Sequence, residues 1–343
     1  NAAQGEDTES YIEYYQVGAK GRSEHGNNIL HVEETPEEYA EKKGLDPAAF
    51  LNKLTETKAK LLAVRAQRIR PGLDDKILTS WNALMLKGYV EAYLTFGEEE
   101  FLEIALRNAQ FIEDNLRDGN RLDRNYKEGR STINAFLDDY ALLADAYLSL
   151  YRATFDDRWL ERAEGLVYHC REHFFSAEKR MFFYTSDLDP ALIARKMEVH
   201  DNVIPASNSV MANVLFDLGY LKNRPDYLEL AESMLHNVRS EMPRYGSGYS
   251  NWGQLLLKYL YPHYEVGVAG PEANTLAREL GAECLPNVLL VAAEKEQEGQ
   301  LELLDDRFVE GETRIYVCQN KVCQLPVTSV QAALDQMERQ PKQ

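Results

Sequence analysis

The sequence is poor in the features that mark several protein classes. Only four cysteines occur in 343 residues: Cys170, Cys284, Cys318 and Cys323. They are too few and too scattered for a disulfide-built secreted fold, so a reducing, cytoplasmic location is expected. The chain has no Cys-x-x-Cys, no Gly-rich phosphate loop, no metal-binding His pair and no nucleophile elbow. No apolar run approaches the roughly 20 residues of a membrane helix. The opening does not read as a signal peptide. Basic side chains are outnumbered, 38 against 56 acidic, and the net charge is -18 with no Lys/Arg cluster to offset it. Such a surface repels phosphate backbones and anionic lipid heads, so neither nucleic acid nor a membrane is an expected partner. No cofactor is expected.

The chain is rich in hydrophobic residues, at 44%, and in aromatics, with 20 Tyr and 12 Phe. The length exceeds that of the usual single core, which points to one large domain with a small appendage. The first thirty residues are polar and read as loop with a short helix near Glu13. Thr35-Pro36-Glu37-Glu38 is a helix start with a capping box, Gly44 stops that helix, and Asp46-Pro47 starts the next.

Beyond residue 73 an internal repeat organises the chain. Phe101-Leu102-Glu103-Ile104-Ala105, Trp159-Leu160-Glu161-Arg162-Ala163 and Tyr227-Leu228-Glu229-Leu230-Ala231 share an aromatic-Leu-x-x-Ala core. Each opens a helix with one apolar stripe, and each follows a helix that is apolar nearly all round. These preceding helices hold Trp81 to Met85, Tyr140 to Ala144, and Val210 to Val214. A helix apolar on every side is buried on several sides, whereas a striped helix lies outside it. Repeated inner–outer pairs stack and bury a continuous core. The expected fold is mainly α: an (α/α) toroid, incomplete here, over residues 1–262. A fourth inner helix should run from near Trp252 to Pro262. Short strand-like segments, 121–126 and 180–184, should join outer to inner helices. From 263 to 343 the period changes to strands at 264–269, 287–292 and 313–318 and a helix at 272–280, a small α/β unit expected to pack on the toroid.

Several runs resemble a known family. They are Leu73-Asp74-Asp75-Lys76-Ile77-Leu78-Thr79-Ser80-Trp81-Asn82-Ala83-Leu84-Met85, Phe136-Leu137-Asp138-Asp139-Tyr140-Ala141 and His200-Asp201-Asn202-Val203-Ile204-Pro205-Ala206-Ser207-Asn208-Ser209. The tail carries Tyr316-Val317-Cys318 and Cys323-Gln324-Leu325-Pro326-Val327-Thr328. From about Glu6 onward the chain is similar to the C-terminal region of the thioredoxin-domain-containing family that includes spermatogenesis-associated protein 20 and bacterial relatives. The resemblance implies a toroid of the six-hairpin glycosidase type, similar to N-acylglucosamine 2-epimerase. It also implies that a thioredoxin-like domain, absent from this chain, precedes it in the full-length protein, along with the first helix pairs of the ring. The opening Asn1 in place of Met agrees with that expectation.

The three runs fall at the starts of inner helices, whose loops would line a central cavity. Asp74, Asp75, Asp138, Asp139 and Asp201 would converge there, with His200, Trp81, Asn82, Tyr126 and Asn208 nearby. Two carboxyl groups at roughly 5–9.5 Å can cleave a glycosidic bond, and a carboxylate with a His can move a proton at a sugar carbon. The expected function is therefore a carbohydrate-processing or sugar-binding toroid, as a hydrolase or an epimerase/isomerase. Helical neighbours point about 100° apart, so one Asp of each pair faces the cavity; Asp75 and Asp139 are the preferred acid/base pair, with Asp138, His200 and Asp201 as alternates. Trp81, Asn82, Tyr126 and Asn208 would bind substrate. The plainer readings stand beside these. An Asp at a helix start caps free N–H groups, Trp81 on an inner helix is core, His200 is a rim histidine and Asn208 is a cap. On those readings the chain is a non-catalytic binding or scaffold module. Cys318 and Cys323 fall on two arms of an expected hairpin that could set them opposite each other; they lack the further ligands of a zinc site, and unlinked thiols are expected, with a disulfide as the alternative.

Overall fold

The computed structural model describes residues 8–18, 26, 28–190, 192–283, 285–296 and 301–337. Cys284 and most of the expected loop before residue 28 lie outside them. The chain divides into two compact units, Asn1–Asp74 and Asp75–Gln343. The change of element type at 262/263 falls inside the second.

Among its described residues the first unit has three helices: α1 (Thr8–Tyr14), α2 (Pro36–Lys43) and α3 (Pro47–Ala66). The Thr35 hydroxyl accepts from the Glu38 backbone N–H at 3.2 Å, and the Glu38 carboxylate accepts from the Thr35 N–H at 2.8 Å. This satisfies two of the donors that a helix start leaves open. Gly44 ends α2 at φ 67°, a left-handed conformation that costs glycine nothing. The core of this unit is small and aromatic: Tyr14, Tyr39, Ala40, Phe50 and Leu54.

The second unit opens with β1 (Ile77–Leu78), α4 (Thr79–Phe96) and α5 (Glu99–Asn115). Four short strands follow: β2 (Arg117–Asp118), β3 (Arg121–Leu122), β4 (Asn125–Lys127) and β5 (Arg130–Ser131). Next come α6 (Leu137–Thr154), α7 (Arg158–His173), β6 (Phe175–Ser176), β7 (Met181–Phe182), α8 (Ser207–Leu221), α9 (Pro225–Val238) and α10 (Ser250–Leu260). The C-terminal part consists of β8 (Tyr264–Ala269), α11 (Ala273–Gly281), β9 (Val288–Ala293), β10 (Arg314–Gln319), β11 (Val322–Cys323) and α12 (Val330–Asp335).

Helices α4/α5, α6/α7 and α8/α9 are hairpins. The inner members α4, α6, α8 and α10 pack side by side in that order. In α6 and α8 the burial pattern is the one the repeat implied for inner helices, whereas α10 buries only Trp252 and Leu255. Helix α6 buries 15 of its 18 residues and α8 buries 12 of 15, whereas α5 buries a single stripe of Leu102, Ala105, Ala109 and Ile112. Mainly α architecture of the (α/α) toroid type is thus present, with a small α/β appendage. Helix α4 departs from the pattern, burying only Thr79, Ser80, Ala83, Leu86, Val90 and Tyr93 of its 18 residues. Trp81, which the inner position marked as core, is 65% exposed, as are Met85 at 57% and Phe96 at 68%. Within this unit α4 stands at the end of the row and has an inner neighbour on one side only.

The strands between hairpins are shorter than the sequence indicated. In the first connection the run breaks at Asp123–Arg124, where Arg124 turns inward, leaving β3 and β4 as separate strands paired in different sheets. The C-terminal sheet has the order β11-β10-β8-β9; β8 and β9 are parallel, joined by α11 as a crossover, and the other pairs are antiparallel. The expectation of unlinked thiols fails here. Cys318 and Cys323 are directly opposed on β10 and β11 and are joined by a disulfide. The hairpin turn Asn320–Lys321, with both residues at positive φ, sets the two strands in the register that brings the sulfurs together. Cys170 is a buried free thiol.

Candidate functional site

The starts of the inner helices form a rim held together by carboxylates. Asp139, in the first turn of α6, is 0% exposed. One of its oxygens accepts from the Ser80 N–H of α4 at 2.9 Å; the other accepts from the Phe136 N–H at 3.0 Å and from Arg124 at 2.8 Å. It therefore ties α6 to α4 and to the preceding loop. Burial, and then the charge of Asp138, push its pKa up to about 7 against the pull of Arg124. Asp138 receives the same guanidinium at 2.9 and 3.2 Å. Arg124 also lies 4.8 Å from the Phe136 ring centre, and that ring leans on Tyr184 at 5.2 Å. Burial, then Asp138, raises the Tyr184 phenol, with Glu198 adding to the effect. Tyr184 thus sits within the field of acidic groups from α6 and from the connection before α8.

The second half of the rim is built on α8 and α10. Asp201 accepts from the Ala206 N–H at 2.9 Å, the Ser209 hydroxyl at 2.7 Å and the Asn251 N–H at 2.8 Å, so it ties the start of α8 to the start of α10. Glu198 caps α8 by accepting from the Ser207 N–H at 2.9 Å. Asn208 is buried and pairs with both the N–H and the C=O of Phe182, each at 2.9 Å. His200 is exposed, with Nε2 at 3.0 Å from the Tyr249 hydroxyl.

The remaining sequence-derived residues lie as follows. Asp75 is half exposed and pairs with Lys127 at 2.6 Å. Asn82 donates to the Leu78 carbonyl at 2.9 Å and accepts from Asn108 at 3.1 Å, bracing α4 against α5. Tyr126, on β4, packs edge-on against Phe111 at 5.3 Å.

Below the rim the inner helices enclose a hollow of about 310 Å³. Its wall is polar and comes from all four helices: Lys87 and Glu91 from α4, Asp145, Ser149 and Arg152 from α6, Asn213 and Asp217 from α8, and Asn251, Gln254 and Lys258 from α10. Lys87 meets Asp145 at 2.7 Å, Lys258 meets Asp217 at 2.7 Å, and Arg152 meets Glu91 at 3.4 Å. Three cations face three carboxylates, so the wall is neutral within a strongly acidic chain. Burial works to lower the Lys87 pKa, but Asp145, with Glu91 and Asp217, outweighs it, and the ammonium is held above its ordinary range. The far end is closed by His263 and by residues of the C-terminal part, Leu285, Pro286, Val288 and Leu289. Asn251 belongs to both levels, through its N–H to Asp201 and its place in the wall.

Sequence reasoning found the rim and missed this wall. The signal was present: a polar residue recurs every three or four positions on otherwise apolar inner helices, as in Asn213 and Asp217 or in Asn251, Gln254 and Lys258. It also missed Arg124 and Glu198, whose roles depend on contacts between connections. Among the described residues no group of three or more His, Cys, Asp and Glu is placed to hold a metal ion. Among them, too, no helix is long and apolar enough to cross a membrane.

No family model matches the chain. It is similar to spermatogenesis-associated protein 20 of Homo sapiens, with 27% identity over 88% of this chain and 41% of that protein. The rat and mouse proteins of the same name are matched at 27% and 26% identity. The resemblance read from the motifs is thus shared along most of the sequence. The chain spans less than half the length of these curated relatives. Among solved structures it is similar to a GH76 alpha-mannanase of Bacteroides thetaiotaomicron, with TM-score 0.42 and 15% identity over 50% of this chain and 47% of that one. It is also similar to a cellobiose 2-epimerase of Bacillus thermoamylovorans, with TM-score 0.41 and 13% identity over 49% and 46%.

Proposed function

We propose that the hollow walled by α4, α6, α8 and α10 takes a neutral sugar, and that rim residues move protons on it as a hydrolase or an epimerase/isomerase would. The observation that carries this reading is the charge balance of the wall. Each cation is already paired with a carboxylate, so an anionic ligand would have to break an ion pair to gain one. A polyhydroxyl ligand instead finds donors and acceptors in fixed positions: amide groups of Asn213, Asn251 and Gln254, and the remaining lone pairs and protons of the ion pairs. A volume of about 310 Å³ lies at the lower end of the roughly 300–1,000 Å³ of small-molecule sites.

For proton transfer we assign Asp138 and His200, the two rim candidates that accept no backbone N–H. Asp138 gives both oxygens to one guanidinium, and His200 is exposed with a phenol on one nitrogen. Asp139 and Asp201 act as positioning residues, since each accepts three hydrogen bonds that fix the loops around it. Asp75, Trp81, Asn82 and Tyr126 contribute at most to the approach.

The non-catalytic binding module is the second reading. It is favoured by the way backbone N–H groups occupy Asp139 and Asp201, which leaves the rim fewer reactive carboxylates than the sequence counts. Incubation of the chain with a panel of neutral oligosaccharides and monosaccharides, with products followed by chromatography, separates the two. Turnover that falls at least 100-fold in Asp138→Asn or His200→Gln supports catalysis. Binding without turnover supports the module. Turnover unaffected by either substitution refutes the assignment of these two residues.

A further inference from the structure

We propose that Cys318–Cys323 is a thiol–disulfide exchange centre that accepts electrons from an external dithiol. The pair lies in the C-terminal sheet, apart from the rim and the hollow wall, and three observations set it apart from a staple.

The two sulfurs differ in access. Cys318 is 1% exposed, whereas Cys323 is partly open on the short edge strand β11, beside an exposed Val322. A nucleophile can therefore reach only one of them, which fixes the direction of attack.

A guanidinium rests on both sulfurs. Arg307 places one terminal nitrogen 3.3 Å from the Cys318 Sγ and the other 3.0 Å from the Cys323 Sγ. It makes no ion pair among the described residues, and burial lowers its pKa. The Tyr316 ring supports it at 4.7 Å, and the Tyr316 hydroxyl donates to its carbonyl at 2.9 Å. Half-burying a cation costs free energy. A neutral disulfide repays little of that cost, whereas a thiolate repays much more. Arg307 is thus placed to stabilise the reduced pair and to make Cys318 a better leaving group.

A carboxyl stands in the same row. Glu265 on β8 is directly opposite Cys318, as Cys323 is on the other side, so the three side chains share one face of the sheet. Glu265 is buried, and its Oε1 has no hydrogen-bond partner. It can hold the proton that a Cys318 thiolate takes up or gives back.

The chemistry balances as follows. A thiolate of the dithiol attacks the Cys323 Sγ and forms a mixed disulfide. The Cys318–Cys323 bond breaks, and its electron pair leaves on the Cys318 Sγ, next to Arg307. The second thiol of the reagent, once deprotonated, attacks its own sulfur in the mixed disulfide and frees Cys323 as a thiolate. The reagent departs as a disulfide. Two electrons have passed to the protein, and the two reagent protons are taken up by the cysteines or by solvent.

The test is a redox titration of the whole folded chain in mixtures of reduced and oxidised dithiothreitol, quenched with acid, alkylated and read by peptide mapping. Circular dichroism follows the fold in every sample. The expected result is reversible reduction of Cys318 and Cys323 with the fold intact. Arg307→Gln should shift the equilibrium about tenfold toward the disulfide, about 30 mV, and Arg307→Lys should shift it less. A pair that stays oxidised until the chain is unfolded overturns the proposal; an unmoved midpoint in both Arg307 variants overturns the role of that residue. Single substitutions give a second readout with glutathione disulfide as the probe. Cys318→Ser should acquire glutathione on Cys323, while Cys323→Ser should acquire none on Cys318. Equal labelling of both would contradict the assigned direction of attack.

Discussion

The rim, at the starts of the inner helices and in the connections before them, and the hollow, along the helices themselves, both use charged side chains, yet they spend those charges differently. At the rim, Asp139 and Asp201 receive backbone N–H groups, and what they hold is the chain itself. In the hollow, Asp145 and Asp217 receive lysines, and both partners of each pair still border open space. A carboxylate at a helix start has unsatisfied amides within reach and becomes structural. A carboxylate in the middle of a helix has none, because every amide there is already bonded along the helix. It must take its partner from a neighbouring helix, which leaves the pair facing inward. Acidic motifs at helix starts therefore mark where a cavity opens better than they mark its chemistry.

The largest expected effect lies at the rim. Asp139→Ala leaves two buried backbone N–H groups without their acceptor and Arg124 with Asp138 alone, and should destabilise the second unit by about 3–5 kcal/mol, measured by urea unfolding. A loss below about 1 kcal/mol would remove the structural role assigned to Asp139. Next comes its pH dependence. The folded pKa is raised above the ordinary value of 3.8 to about 7. The folded state therefore binds the proton more tightly than the unfolded state, and this contribution to stability is complete below about pH 4 and lost as pH rises through about 7. Thermal unfolding of wild type should weaken across that window relative to Asp139→Asn, and parallel curves would show that Asp139 does not titrate there.

In the hollow the balance reverses. Lys258→Met should cost about 1–3 kcal/mol of stability, because it leaves the largely buried Asp217 without its cation, yet it should abolish sugar binding. A variant that unfolds before it loses binding would place Lys258 with the rim residues. The smallest effect belongs to Trp81→Ala, within about 0.5 kcal/mol in urea unfolding because the side chain is largely exposed.

The architecture was legible because burial follows the sequence pattern. The all-round apolar run at Tyr140–Ala144 and the single stripe from Leu102 to Ile112 separate inner from outer helices without further information. The caps at Thr35 and Asp46 were equally readable, since each is satisfied within three residues. The plainer reading of Trp81 as core failed because its exposure depends on which helices flank α4, not on its own surroundings in the sequence. The Cys318–Cys323 bond was misread for a related reason. It depends on a two-residue turn that sets strand register, and Asn320–Lys321 lacks the glycine that usually announces such a turn. Arg124, Glu198 and the hollow wall depend on contacts between connections or between helices, which periodicity does not record.

The central claim is that a charge-balanced hollow selects a neutral polyhydroxyl ligand, and calorimetric titration tests it most directly. Wild type and Lys258→Met would each be titrated with neutral sugars and with their uronic acid and phosphate counterparts. The account predicts saturable binding of a neutral sugar to wild type, weaker binding of its anionic analogues, and loss of the neutral ligand in the variant. Tighter binding of the anionic analogues, or neutral binding unchanged by Lys258→Met, would contradict it.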